Sequence, residues 1–238
     1  MTSTPTRRTK AEIDATVRKL EAEAAKAEAE AQVKLLEAEA GQLEIEAAHE
    51  LRILGRQNFA ELQAADSQHH VYRFSSQVTS SSVKECMSVL QKWARLEPGS
   101  DMEIVFTSPG GEIISGMALF DFIQMLRHAG HHVTTGCIGM AASMAGILLQ
   151  AGDHRWVGEQ GWIMIHRAAF GAAGKTFEVE DEVEFVKRIE KRILAIFTKR
   201  STLTAKKIQS NWDRKDWWIE AEEALELGLV DEVRGALV

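Results

Sequence analysis

Two residues of this chain stand in settings that suit acyl transfer. Ser143 lies within Gly139-Met140-Ala141-Ala142-Ser143-Met144-Ala145-Gly146, one hydroxyl bracketed by small residues and followed by the apolar run Ile147-Leu148-Leu149. Where a strand gives way to a buried helix, such an Oγ sits at the helix N-terminus, beside free N–H groups and the positive end of the dipole. Its small neighbours leave room for a substrate backbone. His166 ends the short apolar run Trp162-Ile163-Met164-Ile165, a placement no other of the eight histidines shares. A turn-forming stretch, Ser108-Pro109-Gly110-Gly111, directly follows the strand-like Ile104-Val105-Phe106. Nucleophile, base and a paired-glycine turn offering backbone donors are the parts of a covalent acyl-transfer site. Ser143 alone would equally suit a helix N-cap beside close packing; the histidine and the glycines favour chemistry.

These residues need elements to hold them. Val71-Tyr72-Arg73-Phe74 alternates like a strand, and residues 80–96 read as an amphipathic helix with Val83, Met87, Leu90 and Trp93 inward. Pro98-Gly99 turns the chain into the strand at 104–106. Residues 112–129 form a second helix on Met117, Leu119, Phe120, Ile123 and Leu126, and 133–138 a strand leading to Ser143. Strand alternating with helix predicts parallel strands with right-handed crossovers, an α/β domain. After His166, the segment 170–174 is glycine- and alanine-rich, and residues 177–199 read as a long charged amphipathic helix. His69-His70 and His131-His132 fall in polar, loop-like pairs and are expected to face solvent.

The N-terminal part is different in kind. Residues 1–10 are polar and expected to be disordered. Residues 11–54 are rich in Ala, Glu, Lys, Leu and Gln without proline, which predicts one helix of roughly 60 Å, and 55–68 reads as a linker into the domain at 69–238. Ile13, Val17, Leu20, Ala24, Ala27 and Ala31 follow a coiled-coil spacing, but Leu35, Leu36 and Leu43 fall off it. Both a solvated acidic helix and a self-association or partner-binding arm fit. Residues 11–50 hold eleven acidic against four basic side chains, −7, which equals the whole net charge. The rest is neutral, so nucleic-acid binding has little electrostatic support. Two unpaired cysteines, Cys86 and Cys137, point to a reducing compartment, and Cys137 reads as core. Nothing has the spacing of a metal site, and no stretch is long and apolar enough for a membrane span or a signal h-region. The expectation is a soluble cytoplasmic protein with neither nucleic-acid nor membrane partners.

Taken in order, Ser108-Pro109-Gly110-Gly111, the Ser143 segment, Met164-Ile165-His166 and the ending Ala221-Glu222-Glu223-Ala224 to Gly228-Leu229-Val230-Asp231 resemble the proteolytic subunit of Clp protease, the ClpP family, over residues 71–233. The resemblance implies the ClpP/crotonase fold, a spiral of repeated ββα units, here preceded by a long N-terminal α-helix. It implies a serine endopeptidase with a Ser-His-Asp triad: Ser143 as nucleophile and His166 as base. Gapless matching back from Gly228-Leu229-Val230-Asp231 puts the triad carboxylate on Asp216, with Asp213 as the rival. The N–H groups of Gly111 and Met144 match the oxyanion donors. No cofactor is implied in this chain; ATP would be used by a Clp ATPase partner, an unfoldase feeding unfolded polypeptide into stacked heptameric rings of the chain. The helix at 177–199 matches the "handle" that interlocks across the equator of two rings. The acidic arm lies outside the pattern, which has loops around an axial entrance there. Three departures leave the triad intact and bear on assembly and peptide binding: Arg167-Ala168 where a proline usually follows the histidine, Lys215 for an arginine, and the bulky Trp217-Trp218.

Other readings use the same residues. A ClpP-like phage protease for capsid or scaffold maturation would need no unfoldase and could use the acidic arm as a scaffold-like extension. A non-hydrolytic assembly protein would use the long helix alone. Crotonase-type acyl-CoA chemistry shares the fold but would not need Ser143, His166 and Asp216 together.

Overall fold

The computed structural model describes residues 10–235, and the predicted disordered tail, apart from Lys10, lies outside them. The chain divides into a unit ending at Ala64 and a second beginning at Ala65. The first is a single helix, α1 (Lys10–Ala64), without an interruption. The predicted linker 55–68 is therefore corrected. Gly55 sits among helix formers and costs only about 1 kcal/mol against alanine, so the helix runs through it to Ala64. A 3₁₀ turn, Asp66–His69, follows.

In the second unit, strands β1 (Val71–Phe74), β2 (Met102–Ser108), β3 (Val133–Ala142), β4 (His154–Gly158) and β7 (Glu232–Arg234) lie in that order, all parallel. Helices α2 (Ser80–Leu96) and α3 (Ile113–His128) are the crossovers between β1, β2 and β3. A capping box between Thr79 and Ser82 starts α2, and Val83, Cys86, Leu90 and Trp93 are its buried stripe. Leu119, Phe122, Ile123 and Leu126 serve α3 in the same way.

Ten residues long, β3 changes partner along its length. Thr134 to Cys137 pair with β4, whereas Met140 to Ala142 pair with β5 (Trp162–Ile165), also in parallel. Gly139, with φ 72°, lies between the two ladders and supplies a bend that a side chain would resist. Strand β6 (Trp217–Glu220) closes the branch by pairing antiparallel with β5. Short α4 (Met144–Leu149) follows β3 directly and is buried along its whole length. Long α5 (Thr176–Arg200) buries Val186, Ile189, Ile193, Leu194 and Phe197, from its middle toward its C-terminal end; Phe177 and Phe185 in its first half stay exposed. Helices α6 (Ala205–Trp212) and α7 (Ala221–Glu226) flank β6 in the chain.

Two histidines depart from expectation. His70 and His131 are buried, while His69 and His132 are exposed as predicted. His70 packs its ring against Trp93 and meets the Asp101 carbonyl through Nδ1, and His131 meets the Ser100 carbonyl at 2.9 Å. Each ring satisfies a carbonyl of the turn before β2, and that compensates burial. Among the described residues no helix is long and apolar enough to cross a membrane.

Candidate active site

Ser143 joins β3 to α4 in a backbone conformation of φ 56° and ψ −120°. Of the described non-glycine residues only His70 and Arg214 share a positive φ. For a residue with a Cβ this costs of order 1–3 kcal/mol. The surroundings hold it there. The Ser143 N–H donates to the Met164 carbonyl at 2.8 Å, continuing the β3–β5 ladder. On the far side the Met144 side chain fills the space left by Gly116 of α3, where a Cβ would collide with it. The sharp strand-to-helix turn leaves Oγ pointing into a cleft of about 310 Å³.

His166 follows β5 and reaches the same cleft. Its Nε2 lies 2.6 Å from Ser143 Oγ, so the serine hydroxyl donates to it when Nδ1 carries the ring proton. Nδ1 faces Asp216, whose Oδ1 is 3.9 Å away, beyond hydrogen-bond range, with its side chain 57% exposed. Asp213, the rival carboxylate, ends α6 and lines a neighbouring depression with Arg167 and Glu190. Asp216 thus shares a hollow with His166, and Asp213 does not.

The glycine turn stands opposite. Ser108 is fully buried; its hydroxyl donates to the Ser76 carbonyl at 2.6 Å and accepts from the Gly110 N–H, fixing the turn from within. Gly110 packs so closely that a Cβ would strike the Ala142 carbonyl and Ser143, and a Cβ on Gly111 would strike the Val78 carbonyl. Val78 donates to Gly110 O and accepts from Glu112 N, a bridge that skips the Gly111 N–H. Among the described residues neither this N–H nor that of Met144 has a backbone acceptor. Both line the cleft and are free to meet a developing oxyanion. Ile113, Ile147, Ile193 and Phe197 add apolar side chains to the cleft, which Gln77 and Arg167 also line.

Three features escaped the sequence reading. Arg167, directly after His166, forms a two-pronged pair with Glu190 of α5 at 3.0 and 3.1 Å, and this raises the pKa of its guanidinium. Nothing in their separation along the chain announces the contact. In the sequence Ser108 shows only as part of a turn. Asp231, which closes the Gly228-Leu229-Val230-Asp231 stretch, holds the buried Arg155 through Nε and Nη2 at 3.0 and 2.6 Å, with Gln150 on the third nitrogen. Both cysteines are buried core residues, and burial pushes the Cys137 thiol up to about 12.

Comparison with known proteins shows the family of the chain. The family profile described as Clp protease matches residues 57–236, well over half of the chain. The chain belongs to the Clp protease family. It is similar to the "ATP-dependent Clp protease proteolytic subunit" of Bacteroides fragilis, 35% identical over 140 residues, which is 58% of this chain and 66% of the relative. The protein of the same name from Bacteroides thetaiotaomicron is also 35% identical over 140 residues, 58% of this chain and 62% of the relative. That of Porphyromonas gingivalis is 34% identical over 139 residues, 58% of this chain and 61% of the relative. The match thus spans about three fifths to two thirds of the curated relatives. The α/β fold with its parallel sheet is that of the Clp protease family, and the first 56 residues of the chain, which include most of α1, precede the matched region.

Proposed function

We propose that this chain is a serine endopeptidase of the Clp type. The 2.6 Å contact between Ser143 Oγ and His166 Nε2, at a strained turn lining the cleft, carries the reading. In the proposed reaction Oγ attacks the scissile carbonyl carbon while Nε2 takes its proton. The Gly111 and Met144 N–H groups receive the oxyanion, and the imidazolium passes the proton to the leaving amine as the C–N bond breaks. Water, deprotonated by His166, then releases the acyl group from Ser143. Asp216 accepts from Nδ1–H and fixes the tautomer. No cofactor takes part in these steps. The substrates are unfolded polypeptides, cleaved inside stacked heptameric rings of this chain and fed by a Clp-type ATPase in the cytoplasm. The exposed Phe177 and Phe185 on the outer half of α5 support its role as the contact between rings.

A fluorophosphonate should label Ser143 alone among the serines, and Ser143→Ala should abolish both labelling and peptide cleavage without changing the fold. Cleavage retained by that variant would remove Ser143 as nucleophile. Because most of α1 lies outside the matched residues, a second reading stands beside the first: a ClpP-like capsid or scaffold maturation protease that works without an ATPase. Degradation of an unfolded protein that depends on an added Clp ATPase and ATP would decide against it.

A further inference from the structure

Helix α1 has no single apolar face because it carries two opposite ones. At 100° per residue, Val17, Leu20, Leu35 and Ile45 fall on one side. Val33, Leu36, Ala40, Leu43, Ala47 and Leu54 fall on the other, within an arc of about 80°. The second stripe begins where the weaker alanine seam of the first half gives out. It keeps the a/d spacing of a coiled coil, broken only by Glu50 at one d position, with Leu51 at its edge. Leu36, Leu43 and Leu54 are 59%, 66% and 53% exposed, so no part of α1 covers them.

The flanks of this stripe have one sign. Glu37 and Glu44 occupy the e positions and Glu39 and Glu46 the g positions, while Lys34 and Arg52, the only cations between Val33 and Leu54, stand at b and f. A second copy packed in parallel would set Glu39 against Glu44; packed antiparallel it would set Glu39 against Glu46 and Glu37 against Glu44. Like charges at these positions oppose pairing, and opposite charges select the partner. We propose that the stretch from Val33 to Leu54 is a docking face for a cationic amphipathic helix of another protein, one whose apolar seam is bordered by Lys or Arg. The apolar stripe supplies the contact area, and the four glutamates choose the partner and speed the encounter. The proposal is independent of the chemistry at Ser143.

The test uses the full chain and two dye-labelled coiled-coil peptides, both with leucine at a and d, one with lysine and one with glutamate at e and g. Anisotropy should show the lysine peptide binding at least about tenfold tighter than the glutamate peptide, with the difference shrinking as salt rises. Leu36→Gln combined with Leu43→Gln, a choice that keeps helix propensity, should weaken lysine-peptide binding by about tenfold or more. Replacing Glu37, Glu39, Glu44 and Glu46 together by Lys should make the chain prefer the glutamate peptide, a gain that loss of helix could not mimic. Lysine-peptide binding that survives the leucine substitutions would be adsorption to an acidic surface and would overturn the proposal. So would the absence of any reversed preference in the lysine variant. Sedimentation in which the leucine substitutions lower the oligomeric mass, while neither peptide binds, would make a second copy the occupant. Fluorophosphonate labelling of Ser143 should be the same in every variant, so failure here leaves the proposed peptidase untouched.

Discussion

The Ser143 backbone is held in a conformation that only its neighbours make tolerable, and the residue gains a hydroxyl standing clear of the sheet. Its partner His166 is already at hydrogen-bond distance, whereas Asp216 is 3.9 Å from Nδ1 and more than half exposed. A carboxylate that hydrogen-bonds the imidazole only in the bound state still fixes its tautomer during turnover, since such contacts tighten in the transition-state complex. Asp216→Asn should therefore lower kcat by up to about 10⁴, the scale for a triad held in the wrong tautomer. Asp213→Asn should change it far less, because Asp213 lies with Arg167 and Glu190 instead. Steady-state kinetics on both variants test this, and the reverse order of effects would transfer the orienting role to Asp213.

Among the elements, α5 does more than cover the sheet. Through Glu190 it grips Arg167, the residue after the proposed base, and through Ile193 and Phe197 it lines the cleft. Glu190→Gln keeps the shape but loses the charge-assisted pair. We expect kcat to fall about tenfold with KM little changed, as the segment after His166 loosens. The exchange Arg167→Glu with Glu190→Arg should restore most of the loss. A lower Tm with an unchanged fluorophosphonate labelling rate would instead make the pair a stability feature only. How far such relations were legible in the sequence depends on their range. Ser143, His166 and Gly110-Gly111 could be read because small residues, a strand end and a glycine pair are local signs. The alternation of β1 and the stripe of α2 could be read for the same reason. Arg167 and Glu190 could not: both are charged residues in polar surroundings, and only the folded arrangement shows that they meet. The burial of His70 and His131 is not legible, because adjacent histidines look like a loop and the carbonyls that satisfy them come from the turn before β2. The end of α1 is not marked in the sequence, because Gly55 and the residues after it resemble a connection while the helix formers around Gly55 outweigh its cost.

At the scale of the whole molecule, stability rests partly on one ionic joint between β4 and the chain entering β7. Burial works to raise the Asp231 carboxyl, but the hydrogen bonds and charge of Arg155 outweigh it and hold the pKa below the usual carboxylate range. A group depressed in this way adds stability that is fully present above its unfolded pKa, about 3.9, and is lost as pH falls through the folded value. Acid titration followed by circular dichroism should therefore show stability declining below about pH 4, and Asp231→Asn should flatten that decline. At neutral pH the same substitution strands the Arg155 guanidinium, which is only 2% exposed. That should cost about 3 kcal/mol, the low end for an unpaired buried ion, since Asp231 keeps some contact with water. For a domain of this size the loss would lower Tm by roughly 6–12 °C. An unchanged Tm would mean that Gln150 and water suffice for Arg155.

The change of partner along β3 has a mechanical consequence. Ser143 is the next residue on the strand, whose first half is clamped between β2 and β4, while His166 rides on the β5–β6 ribbon, which joins β3 only past Gly139. Nucleophile and base therefore sit on opposite sides of the β3–β5 junction, which we expect to part while β2, paired with β3 as far as Ala141, and β4 keep the rest of the ladder whole. Native-state hydrogen exchange should resolve two populations: slow amides at 134–137 that open only with global unfolding, and faster ones at 140–142 and 163–165 that open together at lower free energy. The proposed catalytic pair would then be dismantled and rebuilt many times within the lifetime of one folded molecule. Equal protection on both sides of Gly139 would instead make them a single block.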